Sequence, residues 1–371
     1  MAWTGRRDWA LAGGLAAGVA LDALIGDPRR GHPVAAFGRG AAALETRLYA
    51  DDRFRGALFT GTCVLAAILP AVAAHRLTRD RPLPRGAAAA ALVWAVTGAR
   101  SLTREAERAA VALDADDLDT ARAVLPGLCS RDPAQLGATD IARAVVESVA
   151  ENTSDAAVGP LVWAALAGLP GLAAYRAVNT LDAMVGYRSP RYERFGWASA
   201  RLDDVANWAP ARLTAGLTVI CAPLAGGSPR AALRAALRDG GRHPSPNAGR
   251  PEAAFAGALG LRLGGISGYG GVAEHRPELG NGRPPEPRDI RRAERLSRAV
   301  TIAAALAAAA LAIARAGDRS VPRGRADFPA VSAVFSTQPP KVPDAPRVRA
   351  PKATRIRILS TPPASAPGER R

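Results

Sequence analysis

The sequence predicts an all-α, polytopic integral membrane protein, with about five or six hydrophobic helices joined by polar helical segments. Three observations carry this. Hydrophobic residues make up 48% of the chain and aromatic residues only 5%, so the apolar content is small and aliphatic. Apolar windows approaching spanning length recur at Trp9–Ile25, 57–74, 86–98, 156–175, 213–227 and 299–314. Polar side chains gather at the edges of these windows, as they do in a site built at a bilayer boundary.

Taken in order, Arg6 and Arg7 precede the first window, which reads as an uncleaved first span rather than a signal peptide. Basic connections flank the second window on both sides, so they fix no orientation. The third window is short and reads as re-entrant or amphipathic. Residues 99–126 carry apolar positions at helical spacing and acids beside arginines, which predicts a helical hairpin ending at Pro126-Gly127. Thr139 is the expected N-cap of the next helix, the one that holds Glu147. Residues 240–271 are rich in glycine and proline and read as a loop enclosing a small-residue helix over about 252–263. No repeat period is present. The expected division is a membrane domain over 1–316 and a Pro/Arg-rich, disordered tail over 317–371.

The formal charge is +16, yet half of that excess lies in residues 315–371. A nucleic-acid partner is therefore not expected; the tail suits anionic lipid headgroups or acts as a solubilising extension. The only lysines are Lys341 and Lys352. The body of the chain can form no Schiff base, which excludes pyridoxal phosphate chemistry, and it holds no Walker A lysine. Phosphate recognition there rests on arginine, backbone N–H groups or a metal. Cys63, Cys129 and Cys221 are scattered and form neither a metal spacing nor a disulfide framework.

The densest chemistry lies in residues 141–192 and 200–210. Glu147, Glu151 and Asp155 fall at i, i+4 and i+8 and share one face of a continuous helix. Asn179 precedes Asp182 by three positions, and Asp204 precedes Asn207 by three. A solvated face would alternate acids with basic residues. Here acids alternate with Asn, Ser and Thr beside apolar runs. The plainer readings are helix capping or arginine pairing for the acids, a turn for His32 and His243, and an interfacial belt for Trp163, Trp197 and Trp208.

The stretches LDALIGDPRRGHPV, SRDPAQL, VESVAENTSDAAVGPLVW, AVNTLDAMVGYRSPRYERFGWASARLDDVANWAPARLTA and HPSPNAGRPEAAFAGALGLRLGG resemble the CobD/CbiB family of cobalamin biosynthesis over about residues 15–285. The resemblance implies a multi-pass enzyme of the cell membrane. It implies attachment of (R)-1-amino-2-propanol, or its phosphate, to a propionate carboxylate of adenosylcobyric acid, giving adenosylcobinamide or its phosphate. Other membrane-associated late corrinoid enzymes are implied partners.

Amide formation of that kind needs an activated carboxylate, so ATP and Mg²⁺ are expected. The residues matching those needs are Glu147, Glu151, Asp155, Asp182, Asp203 and Asp204 as acids and bases. Glu151, Asp155 and Asp204 are the expected Mg²⁺ ligands. Arg131, Arg176, Arg188 and Arg201 are expected to hold phosphate, and Asn152, Asn179, Asn207, His243 and Asn247 to position substrate. A membrane corrinoid transporter or binding protein is the alternative. It would place its ionisable residues at midplane in repeated halves.

Overall fold

The computed structural model describes residues 3–27, 31–129, 131–187, 189–269 and 272–318. Arg188 and most of the predicted tail, from residue 319, lie outside the described residues. Thirteen α-helices and one two-stranded hairpin make up the described part. Each of the six apolar windows falls largely within a helix. The chain runs α1 (Trp3–Ile25), α2 (Pro33–Leu48), α3 (Arg53–Thr78), α4 (Pro82–Val96), α5 (Ala99–Asp114) and α6 (Leu118–Val124). It continues through α7 (Ala138–Asn152), a π-helical turn (Thr153–Val158), α8 (Gly159–Val185), α9 (Trp197–Ala206), α10 (Trp208–Cys221) and α11 (Pro229–Arg238). It ends with α12 (Gly249–Leu259), β1 (Leu263–Tyr269), β2 (Val272–Leu279) and α13 (Pro287–Asp318).

Among the described residues, three helical stretches are long and apolar enough to cross a membrane: Arg53–Thr78, the composite Ala138–Val185, and Pro287–Arg315; Trp9–Ile25 is apolar but shorter. Their environments differ. Only 22% of the apolar stretch of α3 is buried inside the protein, against 61% for Ala138–Val185. α3 turns Leu58, Leu65 and Leu69 outward, and α13 turns Ile302 and Leu306 outward. Apolar faces of this kind suit lipid. The composite helix is instead the central post, and it bends at Gly168, where φ is +65° just before Pro170.

Small residues set the closest helix packing. On α1, Gly14 and Gly18 lie one turn apart against α4. A Cβ on Gly14 would stand 2.6 Å from the Gly86 carbonyl, and one on Gly18 would stand 2.5 Å from Val93 Cβ. The Ala-rich composition therefore has a packing purpose: side chains this short let helix backbones approach without a bulky interlock. α13 lies against α1, α5, α7 and α10, so the last apolar helix closes the bundle around the central post.

Three local expectations are corrected. α7 begins after Gly137, with no side-chain cap, rather than at Thr139. The helix expected to reach 263 ends at Leu259, because Gly260 takes the left-handed conformation with φ +70°. The following residues form a hairpin, with Gly265 opposite Arg276 and a bulge between Leu263 and Gly265. Gly264 and Gly265 both have positive φ in this bulge. Glycine density hid the strand pattern, since alternation cannot be read from residues without side chains.

Candidate active site

The polar residues of α7, α9 and the loop before α12 converge on one small cavity. It is lined by Glu151, Ser154, Asp155, Asp203, Asn207, Ser245 and Asn247, with Ala211, Ala248 and Pro251 closing its apolar side. The space is about 10 Å³, room for one water or an ammonium-sized group.

The π-helical turn shapes one wall. A continuous α-helix would carry Glu151 and Asp155 along a simple stripe. The wider turn at Thr153–Val158 changes that register, and Ser154 and Asp155 both line the cavity beside Glu151. Single π-turns of this kind concentrate at functional sites.

The facing wall is a hydrogen-bonded chain. The Tyr175 hydroxyl lies 2.7 Å from Asn207 Oδ1 and 3.0 Å from the Asp155 carbonyl. Asn207 Nδ2 donates to Asp203 Oδ1 at 2.9 Å, and Asn179 Nδ2 lies 3.4 Å from the same oxygen. Two amides thus orient one carboxylate oxygen. Trp163 secures the segment by donating from Nε1 to the Ala206 carbonyl at 3.0 Å, so this tryptophan is tied into the structure. Trp197 and Trp208 are exposed, as an interfacial belt requires.

The loop 243–249 forms the third wall. His243 Nδ1 accepts from the Ser245 N–H at 3.0 Å, and Ser245 Oγ accepts from the N–H of Ala248 at 3.2 Å. Asn247 Nδ2 donates to the Asp204 carbonyl at 2.7 Å, which pins the loop to α9. Gly249 allows the return, because a Cβ there would meet His243 Cβ at 2.4 Å.

Several expected site residues stand elsewhere. Glu147 is buried and does not line the cavity. It is ion-paired to buried Arg131 and accepts the Gly264 N–H at 2.6 Å, while Arg143 holds the carbonyls of Gly264 and Ile266. Glu147 and Arg131 therefore secure the root of the hairpin. Asn152 bonds back to Ser148 in its own helix. Asp182 is buried in α8 and does not line the cavity. Arg201 is exposed on α9. Arg176 lines a separate cleft of about 280 Å³ with Val34, Phe37 and Ala173. His32 caps α2, accepting from the Val34 N–H at 3.2 Å, and burial holds its pKa below the ordinary histidine value.

The expected Mg²⁺ set of Glu151, Asp155 and Asp204 is not formed. Asp203, not Asp204, lines the cavity with the other two. No group of three His, Cys, Asp or Glu side chains among the described residues is arranged to hold a metal ion. The lining is nonetheless rich in acceptors and suits a cationic group that donates hydrogen bonds.

Two participants went unread in the sequence. Tyr175 sits at the end of an apolar window and looked like part of it. Glu252 is buried in α12, with Oε1 3.9 Å from His243 Nε2. Burial, then the nearby carboxylates Glu147 and Glu151, push its pKa well above the ordinary glutamate value. A lone acid inside the small-residue run PEAAFAGA was the available signal.

The family model for the CobD/Cbib protein matches residues 15–297. This chain belongs to the CobD/CbiB family. The cobalamin biosynthesis protein CobD of Mycobacterium tuberculosis is 55% identical over 303 residues, covering 81% of this chain and 96% of that protein. CobD of Geobacter metallireducens is 47% identical over 275 residues, covering 72% and 86%. CobD of Rhodobacter capsulatus is 42% identical over 282 residues, covering 73% and 87%. No solved structure matches the chain. The CobD/CbiB match takes in every wall of the cavity and α13 as far as residue 297. It places the chain in cobalamin biosynthesis, with a corrinoid as the implied substrate class.

Proposed function

We propose that this protein is a multi-pass enzyme of the cell membrane that joins aminopropanol, or its phosphate, to a propionate carboxylate of adenosylcobyric acid. The observation that carries the reading is the acid-lined cavity of Glu151, Asp155 and Asp203. It is too small for a corrin and matches the ammonium end of an amine. In this reading the amine enters the cavity as a cation and the corrinoid stays at its mouth.

Glu151, Asp155 and Asp203 bind the ammonium and draw off its protons, which frees the nitrogen lone pair for attack. Tyr175, Asn179 and Asn207 hold the Asp203 carboxylate in one orientation. An amine and a carboxylate do not condense at neutral pH, so the carboxylate must be activated. Phosphorylation from ATP supplies this, and the resulting acyl phosphate loses phosphate as the amide forms. Mg²⁺ is the usual companion of ATP, but no step here is assigned to it.

The deciding experiment supplies the purified protein with adenosylcobyric acid, each amine in turn, and ATP–Mg²⁺ added or withheld. The corrinoid product is read by mass. A product heavier by the condensed amine, formed only with ATP, supports the reading. Corrinoid binding without product under any of these conditions rejects it and favours a membrane binding protein or transporter.

A further inference from the structure

A groove of about 530 Å³ runs along α13 beside the C-terminal end of α10. It shares no residue with the acid cavity. On α13, Arg295, Arg298, Ile302 and Leu306 follow one another at spacings of three and four, so they form one stripe. All four are exposed. Cys221 and Leu224 supply the opposite wall.

The stripe has a charged end and an apolar end. α13 carries five arginines over 287–298 and no charge from 299 to 314. The chain across the groove is uncharged from 213 to 229. The two are held together, because Arg292 donates to the Gly226 carbonyl at 3.3 Å and to the Leu259 carbonyl at 3.0 Å. The groove therefore starts at the level where α13 passes from headgroups into hydrocarbon.

The charge at that end has one sign. The acids of the same segment, Asp289 and Glu294, are both buried. Arg283 and Arg292 hold Asp289, and Arg298 lies 3.4 Å from Glu294. Arg295 has no ion-pair partner among the described residues. No carboxylate among them lines the groove. A zwitterionic headgroup would find a donor for its phosphate and no acceptor for its ammonium. A headgroup of net negative charge finds arginine alone.

α11 carries a second, independent signal. It begins just after the Gly226 carbonyl that Arg292 holds, beside the charged end of the groove. Its buried face is Ala232, Ala235 and Ala236. Its outer face mixes exposed Leu233 and Leu237 with exposed Arg230, Arg234 and Arg238, and the helix holds no acid. Leucines exposed among arginines suit a helix lying in the plane of an anionic bilayer surface.

We propose that this groove is a binding site for an anionic phospholipid, with its phosphodiester at Arg295 and Arg298 and an acyl chain along Ile302, Leu306 and Leu224. The site goes beyond the reaction proposed above, and it stands whether or not that reaction occurs.

The test uses the full-length protein purified in detergent. It is titrated with phosphatidylglycerol and, separately, with phosphatidylcholine of the same acyl chains, and native mass spectra read the lipid retained. Phosphatidylglycerol should be held at least tenfold more tightly than phosphatidylcholine. Arg295→Ala should cut that preference at least threefold, and Arg295→Ala combined with Arg298→Ala should abolish it. Arg295 is exposed and outside any ion pair among the described residues, so the single variant reads the site even if losing Arg298 beside buried Glu294 harms folding. The arginine-rich sequence beyond residue 318 is the same in every variant, so a lost preference belongs to the groove. Equal retention of the two lipids overturns the proposal, as does a preference that Arg295→Ala leaves unchanged. A lipid-free dimer overturns it too, because a second copy would then cover this face.

Discussion

The Tyr175 hydroxyl lies 2.7 Å from Asn207 Oδ1, which joins the central helix α8 to the turn between α9 and α10. The same hydroxyl reaches the Asp155 carbonyl in the π-helical turn. One phenol therefore sets the spacing between two walls of the acid cavity. Tyr175→Phe keeps the ring and removes the link. Leaving buried polar atoms without partners costs about 1–3 kcal/mol. We expect a lowered unfolding temperature and a turnover reduced at least tenfold per folded molecule, checked by thermal denaturation and specific activity together.

Gly159 faces that phenol. A Cβ at this position would lie 2.1 Å from the Tyr175 oxygen, so Gly159→Ala must displace the ring. The expected outcome is a loss of turnover similar to that of Tyr175→Phe. Near-additive losses in the double variant would show that the two changes act separately, contrary to this account.

Glu151→Gln and Asp203→Asn should each lower turnover at least tenfold, about 1.4 kcal/mol of transition-state stabilisation, with membrane insertion intact. Asp204→Asn should have the smaller effect, because Asp204 does not line the cavity. Specific activity normalised to inserted protein decides this. An Asp204→Asn loss exceeding that of Asp203→Asn would reverse the assignment.

Glu147→Gln tests a different role. It removes the carboxylate that pairs with buried Arg131 and loosens the grip on Gly264. Breaking a buried ion pair from one side costs about 3–5 kcal/mol. The expected result is a large fall in folded yield, with turnover per folded molecule much less affected, and protease cleavage near the hairpin in whatever folds.

Glu252 predicts a pH dependence of stability. Its folded-state pKa is raised by burial. A raised acid favours the protonated form, so its contribution is fully present below the ordinary glutamate pKa and is lost as pH rises through the folded value. Glu252→Gln should therefore gain stability relative to wild type with rising pH across that window. Denaturation midpoints measured over a pH series check it, and parallel curves for the two proteins would remove Glu252 as the source.

The sequence by itself determined the helical, membrane-directed architecture. Each of the six apolar windows falls largely within a helix, because such runs satisfy their backbone groups within one segment. It also determined which stretches hold the polar chemistry, since carboxylates and amides beside apolar runs are too costly to place there idly. Tertiary structure decided which of those groups meet. Asp203 and Asp204 are chain neighbours, yet a helix turns adjacent residues about 100° apart, and only the packing of α9 selects which one lines the cavity. Glu147 shared the sequence stripe of Glu151, but the fold of residues 263–279 gave it Arg131 and Gly264 instead. The π-helical turn reset Asp155 by a shift no periodicity forecasts. In each case the deciding partner lies far along the chain, where spacing along one helix carries no information.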